Sequence, residues 1–370
     1  MSKEVFNPWE IEGDVDYGKL IKKFGISPMK DLPDVFNENV LFRRGIIFAH
    51  RDIQRILDCI KNKKKFVMMT GLMPTGKFHL GHMILAQQFI FYQKLGAKIY
   101  IAVADIEAYN ARGQSLEESR KIALEEYISN YVALGLDLKK CDVYFQSERS
   151  EEASKSNAYY RLQNILARHA TFAEFKAVYG EITPGKMVSS LLQASDMLHA
   201  QLPEFEGECP VLVPVGIDQD PHLRLARDIS KRIKKPKFTQ LSSTYHFFMP
   251  GLGGGKMSSS NPNSFIGLTD SPSEVKNKIN KYAFSGGQAT LEEHKKKGGN
   301  PDVDVSFQYL KMFFEPSDEK LLELEEEYRK GNLLTGELKK YAIEKINSFL
   351  KIHQEKLVKA KREVEKKFRK

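Results

Sequence analysis

Short apolar runs that alternate with helix-patterned segments are the feature that most limits how this chain can fold. Four runs have the length and composition of buried strands, at residues 66–69, 99–104, 143–145 and 209–215. Helical patterns fill the intervals, and one of these helices opens at Ser115 with a capping signal and continues to about Leu134. This alternation predicts an α/β fold with a Rossmann-like, doubly wound parallel sheet, in which ligands gather at the carboxyl ends of the strands.

The 370 residues suit two or three domains. We expect an N-terminal extension at residues 1–64, which ends in a lysine-rich hinge, and a Rossmann domain at 65–269 with a helical insertion at about 110–208. Strand signals stop near Thr269, and a helix start follows at Ser271 and Pro272. Residues 270–370 are therefore predicted to form an all-helical, highly charged C-terminal domain.

Charge, cysteine content and the lengths of the apolar stretches indicate which classes of protein fit this chain. The net charge of +9 favours a polyanionic partner. The three cysteines, Cys59, Cys141 and Cys209, lie far apart, so neither a disulfide framework nor a zinc knuckle is indicated. No apolar stretch approaches the roughly 18 to 20 residues of a membrane helix, and the first residues lack a signal-peptide pattern. We therefore expect a cytoplasmic protein without a membrane partner.

The segment His79-Leu80-Gly81-His82 stands at the start of a predicted helix, just after a strand and a turn that contains Thr75. Unpaired N–H groups at such a terminus favour a phosphate, and Gly81 lets a flat purine approach the backbone. The two imidazoles can donate hydrogen bonds to phosphate oxygens. Taken alone, the two histidines are equally consistent with half of a metal site or with ordinary surface polar residues.

A second motif, residues 256–260 with the sequence Lys-Met-Ser-Ser-Ser, follows a glycine-rich stretch at 251–255. Such a loop can move and bring the Lys256 ammonium onto a triphosphate as charge develops in the transition state. Alone it could be a flexible, solvated loop. Together, the two motifs predict cleavage of ATP at its α-phosphate.

This pair of motifs resembles the class I aminoacyl-tRNA synthetases. The chain is similar to the tryptophanyl-tRNA synthetases of archaea and eukaryotes over nearly its whole length, through residues 7–9, 42–45, 215–221, 283–287, 292–303 and 334–340. The resemblance implies that L-tryptophan and ATP form tryptophanyl-adenylate, and that the tryptophanyl group passes to the 2′-OH of the terminal adenosine of tRNA(Trp). It also implies a homodimer joined through the 110–208 insertion, a C-terminal domain that binds the anticodon arm, and Mg²⁺ carried by ATP without protein ligands.

Candidate site residues follow from the motifs and from the resemblance. The expected catalytic residues are His79, His82, Lys256, Ser258 and Ser259, and the expected ATP-binding residues are Thr75, Gly81, Asp218, Lys256 and Met257. Asp218 suits the ribose hydroxyls, because a carboxylate accepts two hydrogen bonds from a diol. Gln219 and Glu107 suit the amino acid's charged groups. A helix cap is an alternative role for Asp218. The same alternative holds for Asp105, which stands two residues before Glu107.

The amino-acid pocket separates tryptophan from tyrosine. Tyrosine enzymes offer a tyrosine hydroxyl to the substrate phenol where this chain has Met69, and a thioether suits a flat indole instead. Eukaryotic tryptophan enzymes hold the indole N–H with a tyrosine and a glutamine, at the positions of Met69 and Ala102 here. Bacterial tryptophan enzymes use an aspartate at the position of Asp196. We therefore predict that Asp196 accepts the indole N–H, with Gln193 near the ammonium.

Three other functions remain open at this point. Tyrosyl-tRNA synthetase shares the fold and both motifs, and also carries an aspartate at the position of Asp196. A small-molecule adenylyltransferase shares the histidine motif but seldom needs a basic helical C-terminal domain. A non-catalytic RNA-binding paralogue has no reason to keep His79, His82, Lys256 and Gln219 together.

Overall fold

The computed structural model describes residues 5–7, 10–12, 17–255, 257 and 261–369. The strands are β1 (Val5–Asn7), β2 (Glu10–Glu12), β3 (Ser27–Pro28), β4 (Ile47–Arg51), β5 (Val67–Leu72), β6 (Lys98–Val103), β7 (Cys141–Phe145), β8 (Val211–Leu212), β9 (Val215–Gly216) and β10 (Ser243–His246).

The helices of the N-terminal and α/β parts are α1 (Tyr17–Phe24), α2 (Val40–Arg43), α3 (Gln54–Lys61), α4 (Leu80–Lys94), α5 (Asp105–Arg112), α6 (Leu116–Ile122), α7 (Ser129–Leu134), α8 (Ala153–His169), α9 (Phe172–Tyr179), α10 (Pro184–Leu198) and α11 (Asp220–Arg232). The C-terminal helices are α12 (Pro272–Tyr282), α13 (Leu291–Lys297), α14 (Val305–Tyr309), α15 (Asp318–Lys330) and α16 (Thr335–Phe368). Single π-helical segments at Ala123–Ile128 and Leu310–Phe314 continue α6 into α7 and extend α14.

A parallel sheet with strand order β7-β6-β5-β8 forms the centre of the molecule. Its strands are almost wholly buried, because α4 and the helices on the other face cover both sides. The chain that leads into β10 extends the sheet beyond β8: Ser242 N–H donates to Val211 O and Val213 N–H donates to Ser242 O, both at 2.9 Å. The predicted doubly wound parallel sheet is confirmed.

Two details of the sheet differ from the sequence prediction. The run at 209–215 forms two short strands, β8 and β9, because Pro214 between them has no N–H to donate to a neighbour. The N-terminal segment contributes strands, since β4 pairs antiparallel with β10 and β3 pairs antiparallel with β4. The division of the chain at residue 64 remains a prediction, but this segment contributes β3 and β4 to a second four-stranded sheet with strand order β3-β4-β10-β9.

The C-terminal helices begin where the sequence indicated. Ser271 and Glu274 form a capping box with Pro272 in the first turn of α12. The 34-residue helix α16 packs along α7, where His353 Nε2 lies 2.7 Å from Asn130 Oδ1. The basic end of α16 therefore lies against the α/β part of the molecule.

Arg44 joins the N-terminal segment to the C-terminal helices. Its guanidinium donates to Asp318 Oδ1 at 2.7 Å, to Lys311 O at 2.7 Å and to Glu315 O at 2.8 Å. One buried apolar cluster accordingly runs from Phe36 through α4 to Tyr328 and Leu350. Within the described part of the chain, no helix is both long and apolar enough to cross a membrane.

Candidate active site

His79 and His82 shape the N-terminus of α4. His79 is the N-cap residue, and its Nδ1 accepts the Gly81 N–H at 3.2 Å. In return, His82 Nδ1 accepts the His79 N–H, also at 3.2 Å. Because both Nδ1 atoms accept, a neutral ring carries its proton on Nε2. Each imidazole therefore has an Nε2–H suited to donate to an anion.

Burial keeps both rings neutral. They stack with centroids 3.8 Å apart, His79 also packs on Phe265, and His82 packs between Phe78 and Tyr127. Desolvation lowers the pKa of His79 to about 4 and the pKa of His82 well below its usual value. Near pH 7 the pair consists of neutral donors with fixed tautomers.

Gly81 lies under the second motif. A Cβ atom at this position would stand 3.0 Å from Met257 Sδ and 3.1 Å from His79 Cε1. A methyl group here would force Met257 or the His79 ring to shift, so the glycine favours the close approach of Met257 to the start of α4. The other predicted residues of that motif, Lys256, Ser258 and Ser259, lie outside the described residues.

Backbone hydrogen bonds tie the two motif regions together. Leu80 N–H donates to Ile266 O at 3.1 Å, and Leu268 N–H donates to Phe78 O at 3.2 Å. Leu252 N–H also donates to Ser264 O at 2.8 Å, which brings the two ends of the 252–264 loop together. The loop that carries the second motif is thus rooted beside the first.

Thr75 and Asp218 lie in turns that follow strands of the sheets. Tyr127 Oη donates to Thr75 O at 2.8 Å, which holds the turn before α4. Asp218 is buried just after β9, and Gln219 Nε2 lies 3.3 Å from its Oδ2. A Cβ on Gly216 would stand 2.5 Å from Asp218 Oδ1, so a glycine is required for this carboxylate's position.

Asp105 does not form the helix cap that the sequence left open, because Ala104 is the N-cap of α5 and Asp105 is the first residue of the helix. Its Oδ1 accepts the N–H of Ile106 at 3.0 Å and of Ser147 at 3.1 Å, at the start of α5. The carboxylate thereby joins the ends of β6 and β7.

Five of the predicted residues meet around one cavity of about 330 Å³ at the carboxyl ends of β5 and β6. They are Met69, Glu107, Gln193, Asp196 and Gln219. The cavity has apolar walls with a few buried polar groups, which is typical of a site for a small organic ligand.

Glu107 is a buried carboxylate that receives a hydrogen bond from Gln193 Nε2. Burial raises its pKa to about 7, and the negative charge of Asp196 adds to the rise, while the Gln193 hydrogen bond opposes it. An ammonium group in the cavity would relieve both unfavourable effects. This end of the cavity is therefore suited to a cation.

Asp196 also lines the cavity and has three donors around it. Its Oδ1 accepts the hydroxyls of Tyr144 and Tyr159, both at 2.7 Å, and its Oδ2 accepts Gln146 Nε2 at 2.8 Å. Burial raises the pKa of Asp196 to about 6, although these three hydrogen bonds favour the ionised form.

A family model described as tRNA synthetases class I (W and Y) matches residues 61–351. The chain belongs to this family. The resemblance drawn from the two motifs is thus confirmed, and the α/β fold with a helical C-terminal part is that of a class I tRNA synthetase.

Several relatives match this synthetase over nearly their full length. The tryptophan–tRNA ligase of Methanocaldococcus jannaschii is 46% identical, with 96% of this chain and 95% of the relative covered. The crystal structure of tryptophanyl-tRNA synthetase from Aeropyrum pernix superimposes with a TM-score of 0.89 at 43% identity and covers 95% of each chain. A tryptophanyl-tRNA synthetase from Encephalitozoon cuniculi bound to tryptophan gives a TM-score of 0.78 at 28% identity, with 93% and 96% covered.

Sequence reasoning did not assign the residues of this synthetase that surround Asp196. Tyr159 was predicted only as part of the helical insertion at about 110–208, and Tyr144 only as part of the strand at 143–145. Gln146 was not singled out, although it directly follows β7 at the ligand-binding edge of the sheet. Its position directly after a predicted strand could have identified Gln146 as a candidate site residue.

Proposed function

We propose that this class I synthetase is a tryptophan–tRNA ligase, which converts L-tryptophan and ATP to tryptophanyl-adenylate and transfers the tryptophanyl group to the 2′-OH of the terminal adenosine of tRNA(Trp). The observation that carries the proposal is the single cavity that joins apolar Met69 to the buried polar groups of Asp196 and Glu107. The tryptophan–tRNA ligases that match nearly the whole chain support the same specificity.

The charged end of tryptophan would lie against Glu107 and Gln193. An ammonium placed beside Glu107 offsets the cost of a buried carboxylate, and Gln193 already donates to that carboxylate. Gln219 faces the same cavity and can bond either charged group of the amino acid. These groups would orient the tryptophan carboxylate for in-line attack on the α-phosphate, so that catalysis is largely positioning.

The indole would lie over Met69, which is buried at 3% exposure. A thioether can pack on the flat ring, and it offers no strong hydrogen-bonding group to a phenol. Within this proposal the indole N–H lies toward the polar side of the cavity, which contains Asp196 and Gln146. This arrangement favours tryptophan over tyrosine.

ATP would bind across the start of α4. Neutral His79 and His82 would donate from Nε2 to phosphate oxygens, while Thr75, Gly81 and Met257 would border the nucleotide. Asp218 would bind the ribose. Lys256, Ser258 and Ser259 are assigned from the motif alone, with Lys256 stabilising the leaving pyrophosphate.

Mg²⁺ would arrive with ATP. Among the residues that the structure describes, no group of three or more His, Cys, Asp or Glu side chains could hold a metal ion. The ion would neutralise charge on the triphosphate and the leaving pyrophosphate.

Binding of tRNA, dimerisation and localisation are further parts of the proposal. Residues 270–370 would bind the anticodon arm of tRNA(Trp), and the +9 net charge favours such a polyanion. The insertion at about 110–208 would join two chains in a homodimer. A protein that consumes ATP and charges tRNA is placed in the cytoplasm by this proposal.

The decisive experiment is amino-acid-dependent pyrophosphate exchange with tryptophan and tyrosine in parallel, without tRNA. Exchange with tryptophan alone would support the proposed function. Exchange with tyrosine alone would overturn the assignment of the pocket but keep the ATP chemistry. No exchange with either would favour a non-catalytic RNA-binding role.

A further inference from the structure

Gln146 is a wholly buried residue whose backbone is held on both sides. It directly follows β7, where its N–H donates to Val103 O at 3.0 Å and its carbonyl accepts Tyr160 Oη at 2.8 Å. The residue is one of those that line the cavity around Met69 and Asp196. The residue is therefore placed rigidly at the site.

The orientation of the Gln146 amide follows from its partner. Nε2 lies 2.8 Å from Asp196 Oδ2, and an ionised carboxylate only accepts hydrogen bonds. The NH₂ group must therefore face Asp196, which directs Oε1 away from that carboxylate. Tyr144 and Tyr159 hold Asp196 in turn through its Oδ1.

Gln146 Oε1 is a buried acceptor that has no hydrogen-bond partner among the described residues. A buried carbonyl oxygen without a donor is unfavourable, so such an atom in a residue that lines the cavity indicates a donor supplied by the ligand. Asp196 is different, because it already accepts three hydrogen bonds, two of them at Oδ1. The unmet acceptor capacity is therefore greatest at Gln146.

We propose that Gln146 Oε1 accepts the indole N–H of tryptophan, and that Asp196 acts as a positioning residue that fixes the amide. This inference rests on the proposed function, since it assigns a specificity-determining contact within the same pocket. The Tyr144 and Tyr159 hydroxyls, Asp196 and Gln146 then form one chain of hydrogen bonds that ends on the substrate. Such a chain discriminates against a ring without the N–H, because Gln146 Oε1 would be left unpaired.

The test compares tryptophan with its analogue in which sulfur replaces the indole N–H, 3-benzothienylalanine. The measured quantity is the ratio of kcat/KM for tryptophan to kcat/KM for the analogue in pyrophosphate exchange. Gln146→Met keeps the length and approximate volume of the side chain but removes Oε1. We expect this ratio to fall about tenfold or more, mainly through a higher KM for tryptophan, while the analogue changes little.

A matched control is Gln201→Met. Gln201 is also buried, but its amide bonds only the backbone of Thr239, and it does not line the cavity. If Gln201→Met lowers the fraction of folded protein, kcat/KM falls equally for tryptophan and for the analogue. The ratio of the two values in this control should therefore stay at the wild-type value. If Gln146→Met does not fold, Gln146→Asn withdraws the carbonyl by one methylene, and the same fall is expected.

Two results would overturn the assignment. An unchanged ratio in the Gln146 variant together with a collapsed ratio in Asp196→Asn would make Asp196 the direct acceptor. A wild-type protein without tryptophan-dependent exchange would refute the proposed function and this contact with it. The absence of exchange by the wild type is seen before any variant is made. Failure of the proposed function is therefore distinguishable from failure of the Gln146 contact alone.

Discussion

Arg51 Nη2 donates to Asp220 Oδ1 at 2.8 Å and thereby ties the N-terminal strand β4 to the first residue of α11. Asp220 is fully buried and also accepts the Tyr245 hydroxyl. Asp218 and Gln219 immediately precede it in the chain. The N-terminal segment therefore supports the turn that contains Asp218 and Gln219.

Arg51→Met should destabilise the fold by about 3 kcal/mol, since it leaves a buried carboxylate with fewer partners. Arg224, at 3.0 Å from Asp220 Oδ2, keeps the loss at the lower end of what such a deletion costs. Urea denaturation measures the difference. The control is Arg55→Met, which breaks an exposed pair with Asp52 and should cost less than about 1 kcal/mol. Equal losses in the two variants would contradict the supporting role.

The variant His79→Asn distinguishes the N-cap role of His79 from its proposed role as a hydrogen-bond donor in catalysis. Asparagine is a favoured N-cap, so its oxygen can replace Nδ1 as acceptor of the Gly81 N–H, but it carries no donor where Nε2–H stood. Thermal stability should change little, while kcat for adenylate formation falls about a hundredfold or more. His79→Ala should lose the same activity and a further 0.5 to 2 kcal/mol or so of stability. An asparagine variant with full exchange activity would rule out the donor role.

Gly81→Ala should raise the KM for ATP and lower exchange, because the added methyl would meet Met257 Sδ and the His79 ring. Gly336→Ala provides a closely matched control. Both glycines are the second residue of their helix, and nothing lies within 4 Å of a Cβ at Gly336. That variant should keep wild-type kinetics and gain up to about 1 kcal/mol of stability. Similar ATP kinetics in the two variants would show that Met257 yields to the methyl group.

Glu107 should give tryptophan use a pH dependence near neutrality. Its pKa, raised to about 7 by burial, means that the free site loses its negative charge as the pH falls below 7. The profile of kcat/KM for tryptophan should therefore drop on the acid side with an inflection near pH 7. Glu107→Gln should be less active and flat over the same range. An unaltered inflection in that variant would assign the titration to another group.

The raised pKa of Glu107 also makes the stability of the fold depend on pH, and this dependence runs opposite to that of activity. A folded pKa above the unfolded value means that the folded state binds the proton more tightly, so the stability contributed by Glu107 is present at low pH and lost as the pH rises through about 7. The free energy of unfolding of the wild type, relative to Glu107→Gln, should decline between about pH 4.5 and 7. Urea denaturation across this range, with tryptophan absent, tests the sign.

Lys256→Ala should reduce kcat for activation about a hundredfold or more and leave the KM for tryptophan nearly unchanged, because the ammonium would act on charge that develops only in the transition state. Lys64→Ala, on the exposed run before β5, is the control for loss of a positive charge. Full pyrophosphate exchange by the Lys256 variant would refute its role.

Local signals in the sequence were sufficient for the sheet and for the helix starts. The strands β5, β6 and β7 and the start of α12 lie where apolar runs and a capping box indicated them. These signals can be recognised within a few residues, because a strand covered on both faces needs a continuous apolar run and a capping box needs polar residues at fixed positions of the first turn. Met69, Glu107, Gln193 and Asp196 were brought together as predicted because each lies near the same edge of the sheet.

The contacts between distant segments were decided by the tertiary structure. The three donors to Asp196 lie 52, 50 and 37 residues away along the chain, and no local pattern pairs them. The antiparallel pairing of β4 with β10, the raised pKa of Glu107 and the unpaired Oε1 of Gln146 likewise arise only when separate elements pack. Local patterns in the sequence were enough to predict the parallel strands β5, β6 and β7, the start of α4 and the family. The hydrogen-bonding state of the amino-acid pocket was decided by packing, because desolvation and partner geometry exist only in the folded chain.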